Sequence, residues 1–292
     1  MHDGAPAKKV ASAGHEPIGV FDSGVGGLSV LHAIRHELPH EHFLYVADSG
    51  CAPYGDRTPA FIIERATTIT DFLLRQGAKS IVVACNTATA VAVGSLRARF
   101  ALPIVAIEPA VKPAAARTRS RVVGVLATTS TVASPNMSKL LANYGRLRQG
   151  SGEPRHSDAT AGEDVEFVIQ PCPGLADQVE RGELASPDTR AMVERYVQPI
   201  VEQGADILVL GCTHYPFLRP LIQEIAGPGI DVIDPATAVA RELRRRLETN
   251  QLLNAAHAAG TEQFWTTGTV EDVQPIVRQL WGKPVDVHPW RP

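Results

Sequence analysis

The chain has 292 residues, a length that suits about two domains, and 44% of them are hydrophobic, ample for buried cores. Its 28 Lys and Arg stand against 31 Asp and Glu for a net charge of −3 with no basic run, which argues against a nucleic-acid track or any other polyanion-binding surface. No apolar run approaches the ~18 residues of a membrane helix, residues 1–16 lack the apolar core of a secretion signal and read as a disordered tail, and four cysteines at 51, 85, 172 and 212, with no CxxC pair, read as reduced thiols in the cytoplasm.

In chain order, the first strand is Ile18-Gly19-Val20-Phe21, which enters a polar and glycine turn, Asp22-Ser23-Gly24-Val25-Gly26-Gly27, before a helix over 28–38. Strand, turn and helix in that order begin an α/β unit. A second strand, Phe43-Leu44-Tyr45-Val46, opens into a long polar loop over 48–57 that holds Pro53-Tyr54-Gly55, the kind of loop in which binding residues sit. A helix over 59–76 follows, with proline in its first turn. Next comes a buried apolar strand, Ile81-Val82-Val83-Ala84, ending at Cys85 and followed by Asn86, Thr87 and a helix to about Arg99. Residues 102–107 give a fourth strand.

The pattern then restarts. Val123-Gly124-Val125 with Thr128 repeats Gly19-Val20 with Ser23, and Leu208-Val209-Leu210-Gly211-Cys212-Thr213-His214 repeats the Cys85 segment. The second repeat extends upstream: Gln76, Gly77, Ala78, Val82 and Cys85 match Gln203, Gly204, Ala205, Val209 and Cys212 at one constant offset. Between these copies the sequence predicts a helix over 133–143, a flexible polar loop over 145–164, a strand over 165–169, a short helix carrying Glu180 and a longer helix over 187–203. A helix is expected after Cys212; further strands at 232–233, 263–266 and 284–287 alternate with helices over 235–247 and 270–280.

Duplication of a strand ending in a cysteine points to a reaction with two equivalent faces. In an open α/β sheet ligands bind beyond the carboxyl ends of the strands, so two such units facing each other place one thiol on each side of a cleft. A free thiol titrates near ~8.5, and a helix N-terminus or hydroxyl donors lower that value. A thiolate that removes a proton from one face, with a thiol that returns one to the other, inverts a stereocentre. Helix N-terminal amides with Ser23, Thr87, Thr128 and Thr213 are suited to hold the carboxylate of an amino acid.

The segments GVFDSGVGGLSV, ADSGCAPYGDRT, VVACNTATA, QPCPGLADQVERG and LVLGCTHYPFL resemble, in order and spacing, the motifs of the cofactor-independent glutamate racemases of the aspartate/glutamate racemase family. The likeness runs from Ile18 to Phe217, and IDPATAVA (233–240) and Thr266-Thr267-Gly268 extend it. It implies that Cys85 and Cys212 are the paired acid and base, Cys85 working on the D enantiomer and Cys212 on the L, assisted by Asp22, Glu180 and His214. It implies substrate contacts from Asp22, Ser23, Tyr54, Gly55, Asn86, Thr87, Thr128, Thr213 and His214. It further implies two pseudo-symmetric α/β/α domains with mostly parallel sheets and the site between them, one built from 17–108 plus 225–292 and the other from 109–224. Frequent dimerisation, no cofactor and a supply of D-glutamate to peptidoglycan are the remaining implications. The chain departs from the commoner pattern at Cys51, at Thr129-Ser130-Thr131 and in the length of the 145–164 loop.

Plainer readings compete at each position. A single strand-end cysteine is usually a small buried hydrophobe; the duplication reverses this for Cys85 and Cys212, and the plain reading stands for Cys51 and Cys172. Cys212 with His214 offers no further ligand pair at zinc spacing, so no metal is expected. Asp22 can serve as a cap for the first helix as well as orient a substrate amine. Two other classes deserve weighing. Gly24-x-Gly26 with Asp48 hints at a dinucleotide oxidoreductase, but Ser29 occupies the third glycine position and Asp22 would face a pyrophosphate. Racemisation of another acidic amino acid such as aspartate, or a non-catalytic binding role on the same scaffold, completes the alternatives.

Overall fold

The computed structural model describes residues 15–147 and 165–292; the tail expected over 1–16 and the loop expected over 145–164 lie outside the described residues except for 15–16 and 145–147. The chain opens with β1 (Ile18–Asp22), α1 (Leu28–Glu37), β2 (Phe43–Ala47), α2 (Pro59–Arg75), β3 (Ser80–Val83), α3 (Asn86–Arg99) and β4 (Ile104–Ala106). It continues through α4 (Val111–Arg117), β5 (Val122–Ala127), α5 (Thr129–Ala133), α6 (Pro135–Ala142), β6 (Arg146–Leu147), β7 (Glu166–Pro171), α7 (Leu175–Glu180), α8 (Pro187–Glu202) and β8 (Ile207–Leu210). It closes with α9 (Arg219–Ala226), β9 (Asp231–Ile233), α10 (Ala236–Thr249), β10 (Glu262–Thr266), α11 (Val270–Trp281) and β11 (Val287–Pro289).

Two parallel sheets result, in the orders β11-β10-β2-β1-β3-β4 and β6-β7-β5-β8-β9. Their central strands are buried along almost their whole length because helices cover both faces, and β1 is apolar up to the Asp22 at its carboxyl end. In β1, Ile18 and Val20 join one core while Phe21 joins another, and in β8 Leu208 and Leu210 point one way while Ile207 and Val209 point the other. The core that takes Val20 and Leu208 runs across both sheets.

The internal repeat reaches down to packing. α2 starts with Thr58 accepting from Phe61 N ahead of Pro59, and α8 starts with Ser186 accepting from Thr189 N ahead of Pro187. Each ends at a glutamine followed by a glycine in the left-handed region, Gly77 at φ +85° and Gly204 at +86°. Gly19 lies against Ile81 and Leu73, where an added Cβ would come within 2.9 Å of both, and Gly124 lies in the same way against Leu208 and Ile200.

The elements differ from the sequence expectation where local signals are short. The sequence reading has no counterpart for α4, α5 or β6, and the helix expected over 133–143 is α6, which starts only at Pro135 because Ser134 caps Met137 N and separates it from α5. Cys212 leads first into a 3-10 turn, Tyr215–Leu218, with Pro216 in its first residues, and α9 begins only at Arg219. The last strand lies at 287–289 rather than 284–287 and pairs with β10. β9 pairs with β8, so the second sheet extends beyond residue 224; it is α10 that crosses over and packs on α1.

Candidate active site

In each sheet the chain first adds a strand on one side of its leading strand and then changes to the other side. β2 and β3 flank β1, and β7 and β8 flank β5. The crevice at such a switch point is where open α/β sheets bind ligands. Cys85 follows β3 there and Cys212 follows β8, and both line one cavity of about 190 Å³. Ser23, Thr128 and Thr213 line it too, with Tyr54, Gly55, Asn86, Thr87 and His214.

Cys85 is the N-cap of α3: its backbone is extended and its sulfur accepts from Ala88 N at 3.4 Å. Its thiol reaches Ser23 Oγ at 3.5 Å, and Ser23 donates through both N (2.7 Å) and Oγ (3.4 Å) to Asp22 Oδ1. A helix terminus by itself lowers a thiol. At Cys85, burial, followed by the nearby Asp22 charge, pushes it up to about 12 against the smaller opposing pull of the Ala88 amide and Ser23. Cys85 therefore holds its proton at neutral pH.

Cys212 has a different companion. Its Sγ lies 3.5 Å from His214 Nδ1, and His214 Nε2 lies 2.6 Å from Glu180 Oε1. Burial disfavours charge on this imidazole, but the Cys212 sulfur and the Glu180 carboxylate outweigh it and raise His214 well above its ordinary value. Glu180 also accepts from Val25 N at 2.8 Å, so α7 of the second sheet's unit reaches the glycine turn of the first. A Cβ on Gly24 would strike the Glu180 carboxylate, and one on Gly26 would come within 2.6 Å of the His214 ring. These glycines make room for protein side chains, which fill the space that a dinucleotide pyrophosphate would need.

Asp22 joins the two sides. Its Oδ2 accepts from Thr213 Oγ1 at 3.1 Å while Oδ1 serves Ser23, and burial raises its pKa despite the opposing influence of His214. It is fully buried beneath the cavity rather than among its lining residues, and Ser23 and Thr213 stand between it and the cavity. Nor does it cap α1, whose N-cap is Gly27. Glu180 is likewise absent from the lining and meets it through His214. Tyr54 is buried with its hydroxyl committed to Asp48 at 2.5 Å, so its hydroxyl is not free for a substrate.

Asn86 stands apart, because its buried side-chain amide has no hydrogen-bond partner at either Oδ1 or Nδ2. Buried polar groups are almost always paired, and beside the opening amides of α3 this one is suited to a carboxylate. Asn86 also lines a second cavity, of about 610 Å³, between α3 and α6. Thr128 caps α5 and bonds to Thr131 Oγ1 at 2.9 Å and Ser130 Oγ at 3.2 Å. Thr131, Ser130 and Cys172 also line the thiol cavity, beyond the residues expected from the sequence. A hydroxyl triplet after a strand was the available signal for the first two; Cys172 had none. Cys51 is half-buried and packs beside the core around α2. Among the described residues no group of three or more His, Cys, Asp and Glu side chains is placed to hold a metal ion, and no helix is long and apolar enough to cross a membrane.

Residues 18–243 match the model of the Asp/Glu/hydantoin racemase family. A glutamate racemase from Methylococcus capsulatus is 51% identical over 276 residues, which cover 94% of each chain. The glutamate racemase isoform RacE1 from Bacillus anthracis superimposes with a TM-score of 0.81 at 29% identity, over 95% of this chain and 98% of that one. The Escherichia coli glutamate racemase, in a complex with L-glutamate and the activator UDP-MurNAc-Ala, gives 0.78 at 28% identity, over 94% and 98%.

Proposed function

The chain belongs to the Asp/Glu/hydantoin racemase family, and from that premise we propose that it interconverts L- and D-glutamate by a two-thiol mechanism in which Cys85 and Cys212 work from opposite faces of the substrate. The observation that carries this reading is the pair of thiols on one small cavity, each delivered by the equivalent strand of its own sheet. A volume of about 190 Å³ suits an amino acid better than the drug-sized ligands of ~300–1,000 Å³ pockets.

The α-carboxylate sits at the opening amides of α3, Asn86 and Thr87, with Thr213 opposite. The α-ammonium lies toward Ser23, above Asp22. Starting from L-glutamate, Cys212 with His214 takes the α-proton, and the Cys85 thiol delivers its own proton to the other face, leaving D-glutamate and a Cys85 thiolate. The substrate ammonium brings into the site the positive charge that a Cys85 thiolate requires. Starting from D-glutamate, the same steps run in reverse. His214 supports Cys212, Glu180 holds His214, and Asp22 couples the two sides through Ser23 and Thr213.

The protein's own units are taken as 17–108 with 236–292 for the first and 109–234 for the second, the site lying between them. As a cytoplasmic homodimer the enzyme supplies D-glutamate for peptidoglycan; light scattering behind size exclusion tests the dimer. Racemisation of either enantiomer followed by circular dichroism tests the activity. Loss of optical rotation from both L- and D-glutamate without added pyridoxal phosphate, metal or nucleotide is expected. Turnover of aspartate with glutamate left untouched would keep the mechanism and remove the substrate.

A further inference from the structure

Asp48 opens the loop after β2 and is fully buried, yet it lies outside the acid/base machinery described above. Its carboxylate accepts from Arg65 Nη2 (2.7 Å) and Nε (3.0 Å), from Thr267 Oγ1 (2.7 Å) and from Tyr54 OH (2.5 Å). Arg65 comes from α2 and stands over the Trp290 ring at 5.9 Å, while Thr267 follows β10 and accepts from Gly50 N at 3.1 Å. A buried carboxylate and guanidinium are costly unless every group is paired, and here the loop, the helix and the C-terminal strand all contribute partners. Tyr54 is the member of this cluster that touches the cavity. It carries the turn Pro53, Tyr54, Gly55 and Asp56, which forms one wall. Gly55 faces Ser130 across that wall so closely that an added Cβ would come within 2.9 Å of Ser130 Oγ.

Among the described residues, no Lys or Arg lines the cavity. With the α-carboxylate at α3 and both ring nitrogens of His214 engaged by Cys212 and Glu180, the second carboxylate of an amino diacid is left to the backbone N–H groups and hydroxyls of the remaining walls. Neutral donors serve a carboxylate well only when they are held in place before it arrives. We propose that Asp48 is a positioning residue which, through Tyr54 and braced by Arg65 and Thr267, fixes the 53–56 turn to receive the side-chain carboxylate of the substrate. This inference rests on the amino-diacid racemase reading of the cavity.

The test compares KM and kcat in both directions for Tyr54→Phe, Arg65→Met and Arg65→Lys, together with the Kd of D-glutamate for Tyr54→Phe in a Cys85→Ser background. Tyr54→Phe cuts only the link between cluster and turn and leaves the Asp48 pair with Arg65 intact, so it remains folded where Arg65→Met fails. It should raise KM in both directions, and Kd, by about tenfold, the worth of one hydrogen bond to a charged group, while kcat changes by less than about threefold. Arg65→Met should raise KM further and Arg65→Lys should recover part of the loss. An unchanged KM and Kd in folded Tyr54→Phe, or a fall in kcat at constant KM, would overturn the positioning role. The variants are compared on whichever amino diacid the wild type turns over, so that a wrong substrate and a wrong role for Asp48 are read separately.

Discussion

The Cys85 and Cys212 regions share a scaffold and differ in their acid/base equipment. Both cysteines follow the strand beyond a switch point, both strands pack on a glycine of the leading strand, and both preceding helices end on a left-handed glycine. Cys85 then caps a long helix, takes one amide hydrogen bond, and faces a hydroxyl backed by a buried carboxylate. Cys212 heads only a 3-10 turn and has an imidazole held by a glutamate. Duplication can place two sulfurs symmetrically about a stereocentre, but the charged side chains beside each differ between the two halves. Asp22 stands behind Ser23 beside Cys85, whereas His214 and Glu180 stand beside Cys212, so the two thiols meet different charged groups.

The largest test of this comparison removes one sulfur at a time. Cys85→Ser and Cys212→Ser should each lower racemisation by about 10³-fold or more, within the usual worth of a positioned acid or base, as read by circular dichroism. Equal retention of substantial activity in both would break the pairing.

A smaller effect sharpens the asymmetry. Glu180→Gln removes a carboxylate that raises His214 and should lower kcat by about 10- to 100-fold. Because the folded-state value of His214 is raised, any stability or activity that depends on its charged form is fully present below its ordinary ~6.5 and is lost as pH rises through the raised value. The alkaline limb of the pH profile should therefore move to lower pH in Glu180→Gln. An alkaline limb that stays in place would separate Glu180 from His214.

The symmetric features predict matched losses of stability. Gly19→Ala and Gly124→Ala each push a Cβ into packed side chains of the neighbouring strand and helix and should cost about 1–3 kcal/mol, read from urea midpoints. Gly77→Ala and Gly204→Ala meet nothing within 4 Å and carry only the strain of positive φ, about 1 kcal/mol each. Unequal losses within either pair would show that the repeat is not energetically equivalent.

Much of this was legible in the sequence because the repeat is made of local patterns. Four apolar residues ending at a cysteine, and a Gln-Gly-Ala stop before them, indicate strand, switch point and helix end without any long-range information. The family motifs singled out His214 and Glu180, but their contact across 34 positions becomes visible only when α7 packs beside the 3-10 turn. Thr213 reaching Asp22 spans 191 positions, and Thr267 reaching Asp48 spans 219; no periodicity encodes such pairings. Desolvation was invisible too. Sequence position at a helix start favoured a lowered Cys85, and only the buried environment shows that the opposite wins. The crossing back to the first sheet was placed too early because a short strand at 231–233 looks the same in either sheet.

The central claim, one thiol per face, is tested most directly by enantiomer-resolved α-hydrogen exchange in deuterated water. For Cys85→Ser, recovered L-glutamate should acquire deuterium through the intact Cys212 while D-glutamate keeps its hydrogen; for Cys212→Ser the pattern should reverse. Exchange of both enantiomers at equal rates in either variant would contradict the account.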